Sequence, residues 1–252
     1  MSKDTLIKSA YKQDVVANNK VDTYYGDDFN TAFVVATGDV GDDIIKYFGR
    51  DDSIITNKKI FDGNGDGIIN FGKDGVLDID RINVRKAGND QLSLSYGDAK
   101  IGALRYLGEM NGQHAYADAQ TALNFVEHFG PGYESSIGDE TFSTEGGSFL
   151  FDNMLGLNLG NDMIEGAVTS VNIVTTFALG SEDIYSSVNP SDKWMKDGEA
   201  YTVFSLSAPS GSGGDSVGSI TFKGEYGGFL TLREIQQDAD GQNFYVYNLV
   251  TP

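Results

Sequence analysis

The sequence predicts an all-β protein made of two tandem, related β-sandwich-like domains, with one short helix near residues 117–129. Three observations lead to this fold class. The chain of 252 residues contains 32 Gly but only 4 Pro. Short runs rich in Val, Ile, Phe, Tyr and Thr alternate with clusters of Gly, Asp, Asn and Ser, which is typical of short strands joined by tight turns. Similar segments also recur in the same order in both halves, which indicates a duplication.

Two hairpins are the most specific local predictions. Each joins two runs of strand-forming residues through an Asn-Gly or Asp-Gly dipeptide, which accepts the positive φ angles of a tight hairpin turn. The two predicted hairpins are 104–110 with 113–117 around Asn111-Gly112, and 229–235 with 243–249 around Asp240-Gly241.

The segment 117–129 is the exception to the strand pattern. It contains good helix formers and stops at Gly130-Pro131, so we expect a helix there. Its predicted apolar face consists of Ala122, Phe125, Val126 and Phe129.

Composition excludes several classes of partner and chemistry. The chain carries 37 Asp and Glu against 18 Lys and Arg, a formal net charge of -19, so its field repels phosphate backbones and we expect no nucleic-acid partner. Cysteine is absent, which excludes disulfides, zinc thiolates and thiol nucleophiles. No apolar run reaches the ~18 residues of a membrane span, so we expect no membrane insertion.

One loop carries a metal-binding pattern. The segment from Asp62 to Asn70 matches D-x-[DN]-x-[DN]-G, the opening of an EF-hand-type loop. Side chains at alternate positions then converge on one cation, Gly67 permits the sharp turn, and oxygen-only ligands select Ca²⁺. The predicted ligands are the side chains of Asp62, Asn64 and Asp66, the carbonyl of Ile68, and an oxygen of Asn70 or a water that it holds.

The loop departs from the EF-hand pattern at position 12, where Lys73 stands in place of a bidentate Glu. Three carboxylates could complete the shell: Asp74, or Asp78 or Asp80 from the following strand. Otherwise the site is weaker than an EF-hand sensor. The flanking residues favour strands over helices. In the second half the corresponding stretch is 187–192, which lacks the pattern, so we expect only the first copy to bind calcium well.

Three matches, separated by about half the chain length, define the duplication. They are Ile44–Phe48 with Ile173–Phe177, Lys73–Gly75 with Lys196–Gly198, and Leu104–Arg105 with Leu232–Arg233. Four segments follow from them and from the Gly- and Ser-rich stretch between the halves. They are an N-terminal docking segment (1–24), a calcium-loop β-domain (25–133), a linker (134–149) and a second, diverged β-domain (150–252).

Three short segments resemble single turns of the glycine- and aspartate-rich repeats of RTX-type bacterial proteins. These segments are Gly41–Ile45, Gly65–Ile69 and Gly160–Gly166. The resemblance implies type I secretion without an amino-terminal signal, folding on external calcium, and a location outside the cell or on its surface. A removed signal and retention in the cytoplasm remain as alternatives. The chain has no uninterrupted nonapeptide array, so the resemblance does not imply a calcium β-roll.

The sequence favours a structural role over catalysis. His114 and His128 form no recognisable triad, and no nucleophile-elbow, zincin or P-loop motif occurs. We therefore expect no enzymatic activity, and a secreted calcium-binding protein that self-assembles into an extracellular filament, surface layer or matrix. The expected partner is a further copy of the chain. The alternatives are a calcium-stabilised carbohydrate-binding or adhesin module on cell-surface polysaccharide, and a polysaccharide-acting hydrolase or lyase using paired carboxylates.

Overall fold

The structure, a computed structural model, confirms the all-β class. It describes residues 5–15, 20–35, 41–86, 88–166, 168–180, 183–185, 195–196, 199–209, 215–224 and 228–250. The chain divides into two compact units, Met1–Leu123 (unit 1) and Asn124–Pro252 (unit 2). Within the described ranges no helix is long and apolar enough to cross a membrane.

Unit 1 consists of two sheets whose strands alternate along the chain. The first sheet has the order β1-β3-β5-β11-β10-β6, and the second has the order β2-β4-β8-β7 with β9 paired to β8. The strands are β1 (Tyr11–Val15), β2 (Thr23–Tyr25), β3 (Thr31–Val35), β4 (Asp42–Lys46), β5 (Ser53–Thr56), β6 (Ile68–Asn70), β7 (Leu77–Asp78), β8 (Gln91–Tyr96), β9 (Ala99–Lys100), β10 (Ala103–Met110) and β11 (Gln113–Asp118).

The first three strands of each sheet in unit 1 are parallel, because the chain winds as a flattened coil between the two sheets. In the first sheet β1 pairs with β3, and β3 pairs with β5; in the second, β2 pairs with β4, and β4 with β8. Inward-facing side chains of both sheets form one core. It includes Phe33, Ile45, Ile54, Leu92 and Tyr116.

Unit 2 repeats this layout. Its first sheet has the order β12-β14-β16-β22-β21-β17, and its second has the order β13-β15-β20-β19-β18. The strands are β12 (Tyr133–Glu134), β13 (Thr141–Thr144), β14 (Gly147–Phe151), β15 (Gly160–Gly166), β16 (Val171–Thr175), β17 (Asp183–Tyr185), β18 (Met195–Lys196), β19 (Glu199–Ala208), β20 (Asp215–Lys223), β21 (Phe229–Gln237) and β22 (Asn243–Val250). Short 3-10 helices occupy Asn153–Leu155 and Val168–Ser170.

The first sheets of the two units have the same strand order and the same sequence of two parallel pairings followed by three antiparallel ones. Both predicted hairpins are confirmed, as β10–β11 and β21–β22. The match of Leu104 with Leu232 therefore joins equivalent strands. The match of Ile44 with Ile173 does not, because Ile44 lies in the second sheet of its unit and Ile173 in the first sheet of the other.

The predicted helix exists but begins later than expected, spanning Gln120–Phe129 (α1). Residues 117 and 118 belong to strand β11, and the Asp118 carboxylate accepts the backbone N–H of Gln120 at 3.0 Å, which fits the start of a helix. Phe125 is buried on the outer face of unit 2's first sheet with Leu150, Val174 and Phe244. Val126, placed on the apolar face by the sequence, is 49% exposed.

Two domain boundaries differ from the prediction. The stretch 134–149, predicted as a linker, contains β13 and parts of β12 and β14, whose Phe149 lies in the core of unit 2. The segment 1–24, predicted as a docking segment outside the domains, supplies β1 to the sheet of its own unit, and Val15 is in that unit's core. Short, half-exposed strands in Gly- and Ser-rich sequence have too little apolar pattern to be distinguished from a linker.

Candidate metal centre

The predicted calcium loop is anchored on both sides by unit 1. Before it, the backbone N–H of buried Ile60 donates to the Tyr116 hydroxyl at 2.7 Å. After it, β6 pairs antiparallel with β10, which places buried Ile69 opposite Leu104. The loop continues into strand β6, as the sequence predicts, whereas Ile60 and Phe61 before it belong to neither a strand nor a helix. Unit 1 therefore fixes both ends of the loop, and the polar side chains of the loop remain at the surface.

The carboxylate of Asp62 organises the loop. Its Oδ1 accepts the backbone N–H groups of Asn64 and Gly65 at 3.2 and 2.9 Å, and its Oδ2 accepts that of Gly67 at 2.8 Å. Gly65 and Gly67 have φ angles of 76° and 83°, which allow this tight winding. Partial burial of Asp62 opposes ionisation, but the three N–H donors outweigh it and lower the pKa of this carboxyl below its usual range.

Asn64 and Asp66 lie beside Asp62 on the same turn. The Asn64 amide donates to Asp66 Oδ2 at 2.7 Å, and Asp66 Oδ1 accepts the backbone N–H of Ile68 at 2.8 Å. Both side chains are exposed. The structure thus brings together the three predicted side-chain ligands, whose oxygen donors suit a hard cation.

The register of β6 sets the direction of two further predicted oxygen ligands. Backbone hydrogen bonds join Gly67 to Tyr106 and Phe71 to Gly102, so the residues at odd positions of this segment face β10. The backbone carbonyls of Ile68 and Asn70 consequently point toward the open edge of the sheet, since β6 is its last strand. The Ile68 carbonyl, the predicted backbone ligand, thus faces away from β10, and the Asn70 side chain is exposed.

Asp74, one of the three carboxylates that could replace the EF-hand glutamate, lies on the next turn. Its carboxylate accepts the backbone N–H of Val76 at 3.2 Å, and its carbonyl accepts Lys100 Nζ at 3.0 Å. Asp74 and Asn70 line a cavity of about 200 Å³, whereas Asp62 and Asp66 line a different one of about 910 Å³. The structure therefore places four of the six predicted ligands around two neighbouring cavities.

The two alternative carboxylates, Asp78 and Asp80, accept backbone hydrogen bonds from the segment 88–90. Asp78 accepts the backbone N–H of Gly88 at 3.0 Å and pairs with Arg81 at 3.3 Å. Asp80 accepts the backbone N–H of Asp90 at 3.2 Å, and it also lines the larger cavity with Asp62 and Asp66. Of these two, Asp80 alone lines the same cavity as Asp62 and Asp66.

Among the residues that the structure describes, no three Asp, Glu or His side chains meet closely enough to hold a metal ion. A calcium site at the loop accordingly needs amide and carbonyl oxygens in addition to its two carboxylates, which is the donor set of Asp62, Asn64, Asp66 and Ile68. The corresponding stretch of the second half, 187–192, lies outside the described residues.

The larger cavity also has a cationic and aromatic wall. Lys58, Lys59 and Arg81 line it together with Phe61 and Tyr106. Lys59 Nζ lies 4.2 Å from the centroid of the Tyr106 ring, a cation–π contact. These three cations share the cavity with the carboxylates of Asp62, Asp66 and Asp80, so opposite charges face one another across it.

The two histidines have structural partners. His114 Nδ1 lies 3.0 Å from the Tyr106 hydroxyl, and burial lowers the pKa of this imidazole below its usual value. His128 Nδ1 lies 2.8 Å from the carbonyl of Asn124, one helical turn earlier. Both contacts hold the rings in place, and the expectation of no enzymatic activity remains a prediction.

A set of buried carboxylates, which was not predicted from the sequence, joins successive turns of the coil. Asp43 accepts the backbone N–H of Asp22 at 3.0 Å, and Asp52 accepts that of Thr31 at 2.7 Å. In unit 2, Asp162 accepts the backbone N–H of residue 140 at 2.9 Å. Donor and acceptor are 21 or 22 residues apart in each case, and this recurring spacing is the signal that could have revealed them.

Burial raises the pKa values of all three carboxyls. Loss of hydration, followed by the nearby charge of Asp51, raises the pKa of Asp52 to about 8 despite its backbone N–H partners. Burial likewise raises the pKa of Asp162 to about 7, against the lowering effect of the Ser135 hydroxyl. These groups stabilise the coil best when they carry a proton.

Comparison with known proteins found no matching family, no similar curated protein and no similar solved structure.

Proposed function

We propose that this chain is a secreted, calcium-binding structural protein that self-assembles into an extracellular filament, surface layer or matrix. The observation that carries the proposal is the open first turn of the unit 1 coil. Among the described residues, strands β1 and β2 are the end strands of their two sheets, so both have an outer edge of backbone N–H and C=O groups. On the β2 edge the Tyr25 carbonyl accepts the side-chain amide of Gln13 at 3.4 Å.

Large apolar side chains are exposed on the same turn of the coil. Tyr11, Val21, Tyr25 and Phe29 are between 54% and 66% exposed. End repeats of coiled β-proteins need a polar cap to stay soluble, and uncovered edges pair with other strands. An end that combines open edges with exposed aromatic side chains therefore favours association with another chain.

Calcium supports assembly in two ways under this proposal. Calcium bound at the Asp62–Asn70 loop would tie together side chains that hydrogen-bond to one another and to the loop backbone. Bound cations also offset part of the net charge of -19, which otherwise drives copies apart. The resemblance to RTX-type repeats supports export by type I secretion into a calcium-rich medium. The proposal gives the chain no enzymatic activity.

The experiment is negative-stain electron microscopy of the pure protein in calcium and in chelator. We expect ordered filaments or layers in calcium and dispersed particles in chelator. Asp66→Ala should not assemble, because it removes a loop carboxylate. Asp98→Ala removes an equal charge from an exposed turn of the same unit and should assemble like the wild type. Dispersed particles under every condition would refute the proposal.

The second candidate is a calcium-stabilised carbohydrate-binding module, and the 910 Å³ cavity favours it. Aromatic faces pack against sugar rings, and Lys58, Lys59 and Arg81 suit an acidic polysaccharide. Calorimetric titration with an alginate-type or pectin-type polyuronate tests this candidate. If it is right, Lys59→Gln weakens binding and Lys46→Gln, an exposed lysine on β4, does not.

A further inference from the structure

No described strand pairs with the outer edge of β1. In its parallel pairing with β3, Tyr11 lies beside Thr31, and the Tyr11 N–H donates to the carbonyl of Asn30 at 2.7 Å. Because parallel neighbours take hydrogen bonds from alternate residues, Tyr11, Gln13 and Val15 face β3. The backbone N–H and C=O groups of the other two residues, Lys12 and Asp14, therefore point away from the sheet.

Opposite charges flank the middle residue of this edge. Lys12 and Asp14 flank Gln13, and their side chains form an exposed ion pair at 3.1 Å. An antiparallel copy of this strand, turned about a two-fold axis through Gln13, places a lysine opposite an aspartate on both sides of the axis. The edge is thus complementary to itself in charge.

Backbone geometry is compatible with the same register. In an antiparallel pair, residues whose N–H and C=O groups face the partner strand exchange two hydrogen bonds, and the residue between them makes none. With Gln13 on the axis, Lys12 lies opposite Asp14 of the partner subunit, and both have outward-facing groups. The two symmetric pairs supply four backbone hydrogen bonds.

From these observations we infer that two copies of the chain join edge to edge through antiparallel pairing of β1 with β1, centred on Gln13. This inference rests on the proposed self-assembly and names its contact. It also covers exposed apolar surface, since Tyr11, 66% exposed, comes to lie opposite Val15 of the partner subunit. A two-fold contact closes as a dimer, so a filament or layer requires a second contact elsewhere on the chain.

Charge exchange tests the register. Lys12→Glu places like charges opposite each other twice, and so does Asp14→Lys; each should weaken self-association by about tenfold. The double variant Lys12→Asp with Asp14→Lys restores opposite charges and should associate like the wild type. Mixing the two single variants should give a mixed dimer, because each then meets its complement. Equal association of all variants would overturn the register.

Disulfide trapping tests the contact independently, since the chain has no cysteine. Two Gln13→Cys copies meet across the axis at a non-hydrogen-bonded pair, where α-carbons are about 4.5 Å apart, so oxidation should yield a covalent dimer. Tyr11→Cys is the control on the same face: its two copies lie about four residues apart along the strands, beyond disulfide reach. Faster crosslinking of Tyr11→Cys would refute the inference.

The two possible failures are distinguishable. If the wild type assembles in calcium but neither the charge series nor the Gln13→Cys trap responds, the β1 contact is wrong and the proposed self-assembly stands. If the wild type stays monomeric in calcium and Gln13→Cys forms no dimer, both are wrong.

Discussion

The carboxylate of Asp52 accepts the backbone N–H of Thr31 at 2.7 Å, across one turn of the unit 1 coil. Its other oxygen accepts the N–H of Gly49 at 2.8 Å. One buried side chain thus joins a local turn to the turn of the coil that precedes it. Asp162 has the corresponding role in unit 2, where it bonds to the backbone of residue 140 and to Ser135.

The raised pKa values of Asp52 and Asp162 predict stability that increases on acidification. The folded state binds more protons than the unfolded state between the unfolded pKa of 3.8 and the folded values of about 8 and about 7. Stability is therefore lost as pH rises through this window and regained as pH falls. In chelator, the free energy of unfolding should rise by at least about 1.4 kcal/mol from pH 8 to pH 5.

Asp52→Asn provides the control for this pH effect. The amide keeps an oxygen for the Thr31 N–H but cannot titrate, so the variant should show a shallower pH dependence of urea unfolding. Asp98→Asn, on an exposed turn, should keep the wild-type slope. An Asp52→Asn slope equal to that of the wild type would exclude Asp52 as the titrating group.

Calcium should raise the melting temperature through the Asp62–Asn70 loop. A ligand at 100 times its dissociation constant stabilises the folded state by about 2.7 kcal/mol. Magnesium should act weakly, because it demands a compact octahedral shell that this flexible, oxygen-rich loop does not provide. Scanning calorimetry of Asp66→Ala should show no calcium shift, and Asp98→Ala should show the full one. A full shift in Asp66→Ala would remove the loop as the binding site.

Gly160 should be intolerant of any side chain. Its φ is 80°, and an added Cβ would overlap the carbonyl of Gly138 on the adjacent turn of the coil. Gly160→Ala combines backbone strain with this clash and should cost more than about 2 kcal/mol of stability. Gly241→Ala is matched for strain, at φ 89°, but meets no neighbouring atom, so it should cost only about 1 kcal/mol. Equal costs in urea unfolding would contradict the close packing of these turns.

Phe125 should anchor the helix to unit 2. It is 2% exposed and packs with Phe244 and Val246, so Phe125→Ala should cost about 3–5 kcal/mol. Val126→Ala, at a half-exposed position on the same helix, should stay within about 0.5 kcal/mol of the wild type. Denaturant unfolding of the two variants checks the orientation of the helix. Similar losses of stability would mean that the helix does not pack on the sheet through the face that carries Phe125.

Local features of the fold could be predicted from the sequence, because they depend on neighbouring residues. The turn at Asn111-Gly112 has φ angles of 55° and 76°, as an Asn-Gly hairpin requires. The winding of the chain around Asp62 likewise follows from the alternate spacing of its ligand-type residues. The helix start was misplaced by three residues because Ala117 suits a helix but is held in β11 by pairing with Arg105.

The parallel coil could not be predicted in the same way. It pairs residues about 21 positions apart, such as Thr23 with Ile44, and no local turn chemistry specifies that pairing. Asp52 and Asp162 stand in acidic, turn-like sequence, so their burial depends on the tertiary structure alone. The false match of Ile44 with Ile173 has a related cause, because apolar residues in different sheets share the same two-residue period.

Sedimentation velocity of the wild-type chain at micromolar concentration, in calcium and then in excess chelator, tests calcium-dependent self-assembly most directly. The account predicts species larger than the 27.2 kDa monomer in calcium that return to monomer in chelator. It also predicts that Lys12→Glu shifts the calcium sample toward monomer. A wild-type chain that sediments as a monomer in both solutions would contradict the account.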